Sequence, residues 1–370
     1  MDYYFNGEWS PGTQTTNVLN PFDQSVIDTV PLASESEVDQ AIHGAIQGFQ
    51  EIKNSSAYER SLFLRKTAGL ISERIDEFAK IISLEEGKTI AESRGETLRA
   101  IQTLEISAEE AKRLDGEVLP LSGASGTDGK LGITLRVPCG VVAAITPFNY
   151  PLNLVCHKVG PALAAGNSVI IKPASDTPLT SLKLVEVLLE AGCPARAIAC
   201  LTGSGAKVGE AICRDPRIRK ISFTGSKEVG EFICKIAGLK RVTMELGSNS
   251  PLVVLPDADL KKVVDAIAFS GFANAGQVCI SAQRVIVHRD IHDELVHQLI
   301  PRVNQIQAGN PLAADSNIGP MVRESDAVRV ESWIQEAVQQ GAKLDCGGER
   351  DKTIVTPAVL TNVESSMRIA

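Results

Sequence analysis

"GVVAAITPFNYPLNLVCHKVGPALAAGNSVIIKPAS", residues 140–175, indicates the fold class, because two short apolar runs flank an amphipathic segment. Comparable apolar runs start at residues 141, 168, 197, 220 and 241. Their spacing accommodates a strand, a helix of about ten to fifteen residues and two turns. Continuous apolar runs are typical of strands that are covered on both faces. The sequence therefore predicts an α/β fold with a doubly wound parallel sheet, which binds ligands outside the carboxyl ends of its strands.

Residues upstream of this alternating pattern are predicted to be helical and to cover the sheet. The predicted helices span residues 36–53 and 58–112, and a capping signal lies at Ser34 or Ser36. Between them and the sheet, two short alternating segments surround a turn rich in Gly, Ser and Asp. They predict a protruding hairpin at about residues 116–137, which we expect to contact another subunit.

Composition excludes several classes of function. The 370-residue chain has a formal net charge of -8 at pH 7, so it lacks the basic field that holds a nucleic acid or an anionic membrane. The N-terminal stretch "MDYYFNGEWS" is acidic and polar, whereas a signal peptide has a basic start and an apolar run. No run approaches the roughly 18 uninterrupted apolar residues of a membrane helix. We therefore expect a cytoplasmic protein without nucleic-acid or membrane partners.

The cysteines and histidines predict neither disulfides nor a metal site. The 8 cysteines include no C-x-x-C pair and are expected to be free thiols in a reducing compartment. Cys156, Cys213 and Cys234 lie among apolar neighbours, which predicts buried helix positions where cysteine acts as a small hydrophobe. The 5 histidines show no metal-ligand spacing, so we expect no bound metal.

Five short motifs stand at predicted strand ends or soon after them. In chain order they are TPFNYP (146–151), KPAS (172–175), FTGS (223–226), MELGS (244–248) and GQVC (276–279). This set, in this order, resembles the NAD(P)-dependent aldehyde dehydrogenase superfamily over essentially the whole chain. ITPFNYPLNLVCHKVGPALAAGN and GQVCISAQR are most similar to the branch acting on short polar aldehydes, such as lactaldehyde, glyceraldehyde 3-phosphate and semialdehydes. The resemblance implies oxidation of a short aldehyde to its carboxylic acid.

The resemblance also implies three catalytic residues. Cys279 matches the family's nucleophile, whose thiolate attacks the aldehyde to give a thiohemiacetal that can release hydride to nicotinamide. Hydrolysis of the resulting thioester needs a general base, and Glu245 matches that residue. The Asn149 side-chain amide and the Cys279 main-chain N–H match the oxyanion donors, and losing one such donor typically costs about 2.7–4 kcal/mol. Taken singly, Asn149 could be a turn residue, Glu245 an exposed carboxylate and Cys279 a small buried side chain.

The cofactor, NADP or NAD, is likewise implied by the resemblance. The matching residues follow the first, second and fourth strands of the pattern, and they are Thr146, Pro147, Lys172, Ser175, Thr224, Gly225 and Ser226. FTGS predicts a sharp turn into a helix whose N-terminal amides can bind pyrophosphate, although Ser226 would cap a helix in either case. Lys172 matches the residue that bonds the adenosine ribose, and the alternative is a solvated lysine at a strand end.

Ser175 bears on the choice between the two cofactors. Many NAD-specific relatives carry a glutamate there, and its carboxylate would repel the 2′-phosphate of NADP. With serine in its place, we expect NADP to be accepted at least as well as NAD, unless Ser175 merely caps the following turn. Lys158, nine residues after Asn149, could join a proton relay or could be a lysine on a helix surface.

Two departures from the family pattern affect these expectations. Many members read ELGGK where this chain reads ELGSN, so Ser248 and Asn249 alter the loop beside the base. Members also continue beyond the stretch that matches NVESSMRIA into a Glu-Phe-Gly-Pro segment whose glutamate holds the nicotinamide ribose. An incomplete catalytic domain leaves two further possibilities open: a protein that binds cofactor without turnover, and a thiol esterase that uses Cys279 and Glu245.

Two domains are expected from the length and from a second β/α set that begins after Gly247. We assign residues 1–246 to a cofactor-binding domain, which includes the hairpin, and residues 247–370 to a catalytic domain. If the whole fold is present, the resemblance implies a homo-oligomer, either a dimer or a tetramer.

Overall fold

A computed structural model describes residues 1–370 of the protein. The α-helices are α1 (Glu35–Ile52), α2 (Ala57–Glu73), α3 (Ile75–Glu86), α4 (Ile90–Glu110), α5 (Asn153–Ala164), α6 (Leu179–Ala191), α7 (Glu210–Arg214), α8 (Lys227–Ile236), α9 (Leu260–Phe272), α10 (His292–Val303) and α11 (Glu324–Gln339). The strands of the first two-thirds of the chain are β1 (Tyr3–Phe5), β2 (Glu8–Ser10), β3 (Thr15–Leu19), β4 (Val26–Pro31), β5 (Glu117–Leu119), β6 (Gly132–Thr134), β7 (Val141–Ile145), β8 (Ser168–Lys172), β9 (Ile198–Cys200), β10 (Ile218–Gly225) and β11 (Arg241–Leu246). The remaining strands are β12 (Pro251–Val254), β13 (Arg284–Val287), β14 (Lys343–Cys346), β15 (Arg350–Asp351), β16 (Ile354–Val355) and β17 (Val359–Thr361).

The central sheet has seven strands in the order β11-β10-β7-β8-β9-β1-β2. The five strands that the sequence predicts are all present, and neighbouring ones pair in parallel. Every residue of β7 and β8 is buried, as the uninterrupted apolar runs indicate. The N-terminal strands β1 and β2 extend the sheet in antiparallel fashion, which the sequence pattern did not reveal. The predicted α/β fold class is confirmed.

Helices cover this sheet in layers. Both α1 and α5 pack on the central strand β8, while α4 packs on α5 and α2 packs on α4 and α6. Helix α1 begins where predicted, because the Ser34 hydroxyl accepts a hydrogen bond from the Glu37 N–H and the Glu37 carboxylate accepts one from the Ser34 N–H. The residues of the largest hydrophobic core all come from the part of the chain that runs from Tyr3 to Ala237.

The stretch predicted to be helical over residues 58–112 holds three helices that short turns separate. Helix α2 ends before Arg74, and α3 ends at Gly87, whose φ of 92° is a left-handed conformation that suits glycine. Thr89 then starts α4 with its own capping box to Glu92. The turn between α3 and α4 carries Lys88 into the protein interior.

Two of the three cysteines expected in buried helix positions are buried, and the third is not. Cys156 and Cys213 lie in the interior, whereas Cys234 is exposed. Helix α8 buries only Gly230 and Ile233. Cys234 follows Ile233 directly and therefore points about 100° away from the buried stripe.

The second β/α set follows β11 as the sequence predicts. Strands β12 and β13 pair in parallel. Helices α9 and α10 pack with them around a separate small core, whose residues come from the stretch Val254 to Val303. Strands β5 and β6 form the predicted antiparallel hairpin, in which Glu117 pairs with Thr134. None of the helices combines the length and the apolar character needed to cross a bilayer.

Candidate active site

The carboxyl edge of the central sheet collects most of the predicted site residues. In the strand pairing, Ile145 lies opposite both Lys172 and Phe223, and Thr224 lies opposite Glu245. Because these strands are parallel, they end at the same edge. The Thr146 N–H donates to the Lys172 carbonyl at 3.2 Å, which holds the first two strand ends together.

Lys158 projects from α5 into this edge. Its Nζ donates a 2.7 Å hydrogen bond to Thr224 Oγ1, and the residue is only 7% exposed, so the helix-surface alternative is wrong. Burial lowers the pKa of Lys158 to about 8, an effect that the Glu245 carboxylate opposes and Lys220 reinforces. A lysine that exchanges its proton near neutral pH therefore lies within electrostatic reach of the predicted base.

Asn149 connects the loop after β7 to residues 274–279, which are called the nucleophile segment because they end at Cys279. Its side-chain Nδ2 donates to the main-chain carbonyl of Gln277 at 2.7 Å, two residues before Cys279. An amide nitrogen carries two hydrogens, so one remains for a ligand. Asn149 Oδ1 is buried without a partner. This contact brings two of the predicted catalytic residues to one place.

The nucleophile segment leaves α9 through an unusual backbone path. Asn274 and Ala275 have φ values of 51° and 54°, and Gly276 follows with 77°. Left-handed conformations of residues other than glycine cost about 1–2 kcal/mol each, so surrounding contacts must hold them. The path leaves Cys279 exposed, and its main-chain N–H donates to no main-chain carbonyl. That N–H is therefore available as an oxyanion donor.

The loop after Glu245 reaches the same segment. Ser248 Oγ donates to the Cys279 carbonyl at 2.7 Å, and the Asn249 carbonyl accepts from Arg284 Nη2 at 3.1 Å. The altered ELGSN sequence thus contacts the nucleophile segment directly. Glu245 itself is exposed at the end of β11, and no hydrogen bond joins its carboxylate to the side chain of Cys279 or Asn149.

The predicted cofactor residues fit a dinucleotide. Thr146 Oγ1 is buried without a hydrogen-bond partner, which leaves a polar atom for a ligand. Lys172 is buried at the strand end, and burial lowers its pKa to about 8, with Asp176 opposing. Ser226 caps the ten-residue helix α8 through its hydroxyl, so the helix N-terminus faces the same edge. A Cβ on Gly225 would lie 2.5 Å from the Phe223 ring, so a side chain there would force that ring to shift.

Ser175 stands three residues beyond Lys172 and is exposed. Its hydroxyl donates to the Gly203 carbonyl at 3.2 Å. The nearest carboxylate along the chain, Asp176, accepts hydrogen bonds from the guanidinium of Arg323. The negative charge next to Ser175 is therefore already paired.

The sequence analysis missed a group of charged residues behind the site, of which Glu86, Lys88 and Glu96 are buried and Glu92 is half-buried. Lys88 Nζ donates to the Asn149 carbonyl at 2.6 Å, and Asn274 Nδ2 donates to Glu86 at 2.8 Å. Charged residues are seldom fully buried, so an acidic and basic run on a helix normally indicates a solvated face. The only available signal was EEGKT, in which glycine predicts a break in the helix.

Sequence comparison gives an independent result. The profile of the aldehyde dehydrogenase family matches residues 9–370. A 3-sulfolactaldehyde dehydrogenase of Priestia aryabhattai is 47% identical over 367 residues, which cover 99% of this chain and 76% of that protein. A lactaldehyde dehydrogenase of Methanococcus aeolicus is 39% identical over 361 residues, with 96% and 76% covered.

Solved structures agree in fold. An aldehyde dehydrogenase of Brucella melitensis biovar abortus superposes with a TM-score of 0.96 at 38% identity, covering 100% of this chain and 76% of that one. A glyceraldehyde-3-phosphate dehydrogenase of Methanocaldococcus jannaschii, complexed with NADP, gives a TM-score of 0.90 at 38% identity, with 93% and 75% covered.

Proposed function

Since the chain belongs to the aldehyde dehydrogenase family, we propose that it oxidises a short polar aldehyde through a thiohemiacetal and a thioester on Cys279. Membership makes it an NAD(P)-dependent aldehyde dehydrogenase. The observation that carries the proposal is the pair of contacts at the nucleophile segment. Asn149 binds the Gln277 carbonyl at 2.7 Å and Ser248 binds the Cys279 carbonyl at 2.7 Å. In these contacts the Asn149 amide, which keeps a free hydrogen, and the loop of the predicted base meet the main chain at Gln277 and Cys279.

In the first step the Cys279 sulfur forms a bond to the aldehyde carbon, and the carbonyl π electrons move to oxygen. The second hydrogen of Asn149 Nδ2 and the main-chain N–H of Cys279 are the donors for this oxyanion. Preorganised donors of this kind accelerate such steps about 10²–10³-fold each.

A bound nicotinamide would supply the acceptor for the hydride of the thiohemiacetal carbon, which leaves a thioester on Cys279. Glu245 then takes a proton from water, whose oxygen attacks the thioester carbon, and the carbon–sulfur bond breaks to release the acid and the thiolate. Lys158 can accept the proton from Glu245, because its pKa of about 8 leaves part of it neutral at neutral pH.

For the cofactor we propose that the site accepts both nucleotides and favours NADP. Lys172 and the N-terminus of α8, capped by Ser226, supply positive potential at the sheet edge. Ser175 presents a hydroxyl where a carboxylate would repel a 2′-phosphate, and Arg323 neutralises the adjacent Asp176. At about 4 Å, repulsion between like charges near a protein surface reaches several kcal/mol.

The substrate class we propose is a short aldehyde that carries a polar or acidic group. Its support is that the named relatives act on 3-sulfolactaldehyde and lactaldehyde. We further propose a reducing, cytoplasmic setting, because the cysteines are all free thiols.

We also propose that the hairpin of β5 and β6 contacts a second copy of the chain. Leu131 and Leu135 are 73% and 78% exposed there, and Val118, Ile133 and Val137 add to the same apolar surface. An exposed apolar strand edge is an association site. The division into residues 1–246 and 247–370 remains our proposal; it is supported by a largest core that ends at Ala237 and two smaller cores that lie within residues 254–367.

The deciding experiment is a panel of short aldehydes with NAD and with NADP, in which the absorbance of the reduced nucleotide is followed. We expect reduction with a lactaldehyde or semialdehyde substrate, and a release of the matching acid. Tight nucleotide binding without reduction would support a protein that binds cofactor only. Cleavage of p-nitrophenyl esters that is unaffected by removing the nucleotide, with no aldehyde oxidation, would support a thiol esterase instead.

A further inference from the structure

Lys88 is a charged residue in the interior that the reaction steps above do not use. Its side chain is 1% exposed and that of Glu96 is 0% exposed, and the two form an ion pair at 2.7 Å. The second hydrogen bond of Lys88 Nζ, at 2.6 Å, goes to the main-chain carbonyl of Asn149. The ammonium also lies 3.8 Å from the ring centre of Tyr150. Lys88 thus contacts both Asn149, which carries the oxyanion donor, and the next residue, Tyr150.

Glu96 holds the continuation of the same segment. Its Oε2 accepts from Lys88, while its Oε1 accepts from the main-chain N–H groups of Leu152 and Asn153 at 2.9 and 3.0 Å. Those two N–H groups lie at the start of α5, where no helical acceptor exists for them. Glu96 therefore fixes the chain just beyond Asn149 in the same way that Lys88 fixes it at Asn149.

Asn274 links this arrangement to the nucleophile segment. Its Nδ2 donates to Glu86 at 2.8 Å and to the Asn149 carbonyl at 3.4 Å, and its N–H donates to Glu92 at 2.8 Å. These bonds hold the left-handed backbone at Asn274 that precedes Cys279. The Asn149 carbonyl thus receives donors from the turn between α3 and α4 and from the nucleophile segment.

We propose that Lys88 is a positioning residue for the oxyanion site: through the Asn149 carbonyl, and with Glu96 and Asn274, it sets the distance between the Asn149 amide and Cys279. This inference rests on the proposed function, because it gives Asn149 and Cys279 their roles in the reaction.

The energetics of burial favour a positioning role over a stabilising one. An ion pair in the interior loses about as much through desolvation as it gains through attraction, so an apolar pair of similar volume is often equally stable. Burial alone would lower the pKa of Lys88, but the Glu96 and Glu86 carboxylates hold it above its usual value, so the ammonium stays charged. A charged donor makes hydrogen bonds that are shorter and stronger than those between neutral groups, and a misplacement of about 1 Å at an active site can cost 10²-fold in rate.

The test is a double-mutant cycle of Lys88→Met and Asn149→Ala in aldehyde oxidation. We expect Lys88→Met to lower kcat about 10- to 100-fold, with the KM for aldehyde and the Kd for NADP within threefold of the wild type. In the Asn149→Ala background, Lys88→Met should lower kcat by less than threefold, because the residue acts through Asn149. Lys183→Met, which removes a lysine of α6 that pairs with Glu77 and Glu186, is the control and should leave kcat unchanged.

Amide hydrogen exchange supplies a readout that needs no turnover. In Lys88→Met, exchange at Leu152, Asn153 and Asn274 should be at least tenfold faster than in the Lys183→Met control. Glu96→Gln, which keeps the shape and one acceptor oxygen, should show a smaller change in the same direction and serves if Lys88→Met does not fold.

Four results separate a failure of the positioning role from a failure of the proposed function. The positioning role of Lys88 would be overturned if the fold-losses in kcat of the two single mutants multiplied in the double mutant. Exchange rates in Lys88→Met equal to those of the control would also overturn it. A loss in Asn149→Ala without any loss in Lys88→Met would do the same. Wild-type kcat in Asn149→Ala would instead overturn the proposed function itself.

Discussion

The Ser248 hydroxyl donates a 2.7 Å hydrogen bond to the main-chain carbonyl of Cys279, across a separation of 31 residues. Ser248 stands three residues after Glu245, so this bond couples the loop of the proposed base to the nucleophile segment. The Cys279 side chain remains exposed and accessible to a substrate. Cys279 and Glu245 can therefore each be substituted without removing the contact between their loops. The contribution of each side chain to the reaction can then be measured by itself.

Replacing Cys279 with serine should abolish aldehyde oxidation while NADP binding persists. A hydroxyl is a far poorer nucleophile than a thiolate near neutral pH, and the cofactor residues lie on other strand ends. Steady-state turnover and an equilibrium binding titration measure the two effects. Cys234→Ser, which changes the other exposed thiol, is the control and should keep full activity. Turnover at the wild-type rate in Cys279→Ser would remove the thiol from the mechanism.

Glu245→Gln should slow hydrolysis of the thioester more than its formation. Glutamine cannot accept a proton from water, but it leaves the nucleophile and the oxyanion donors in place. Rapid mixing should then show a burst of one reduced nucleotide per site, followed by a steady state slowed by about 10²–10⁴-fold. An unchanged steady-state rate would exclude Glu245 as the general base.

Lys158 should make the stability of the protein depend on pH in the alkaline range. Burial lowers its pKa from 10.5 to about 8 in the folded chain, so the unfolded chain binds more protons between these values. The free energy of unfolding should therefore gain up to about 1.4 kcal/mol per pH unit from this residue as pH rises from about 8 to 10.5. Urea denaturation of wild type and Lys158→Met at several pH values measures the difference. Parallel pH dependences in the two proteins would show that Lys158 has an ordinary pKa.

Ser175→Glu should weaken the use of NADP and spare that of NAD. The new carboxylate would face the 2′-phosphate, and a loss of more than tenfold in kcat/KM corresponds to about 1.4 kcal/mol. Comparison of kcat/KM for both nucleotides, or of Kd values, tests the expectation. Ser175→Gln is the matched control of similar size without charge. Equal effects of Ser175→Glu on both nucleotides would mean that the residue does not face the ribose.

The sequence predicted the central sheet because a short apolar run marks each of its five parallel strands, and the runs of β7 and β8 are buried at every residue. The residues at the strand ends were predicted from the resemblance of their motifs to the family, and their roles stay a prediction. Strand β1 escaped notice because its pairing with β9 joins Tyr4 to Cys200. Local periodicity carries no information about contacts that are so distant along the chain.

Charged interior positions were equally invisible to pattern analysis. Lys88 and Glu96 belong to a stretch whose charges resemble those of any solvated helix, and only three-dimensional pairing shows that they neutralise each other inside. Cys234 illustrates the reverse case, because its apolar neighbours Phe232 and Ile233 lie on different sides of α8. Whether a single helical residue is buried depends on its angle around the helix axis relative to the buried stripe. A short stretch of sequence defines the position of that stripe poorly.

The antiparallel pairing of β1 with β9 has a consequence for the order of events during synthesis. During synthesis β1 leaves the ribosome well before its partner β9, which ends at Cys200. Until β9 is made, the aromatic side chains of Tyr3 and Tyr4, both fully buried in the final fold, lack one of the elements that pack on them. Contacts so distant along the chain close slowly, because a long loop must be ordered first. Strands β1 and β2 are thus translated long before they can dock in the sheet, and a chaperone that holds exposed aromatic segments would find its binding site there.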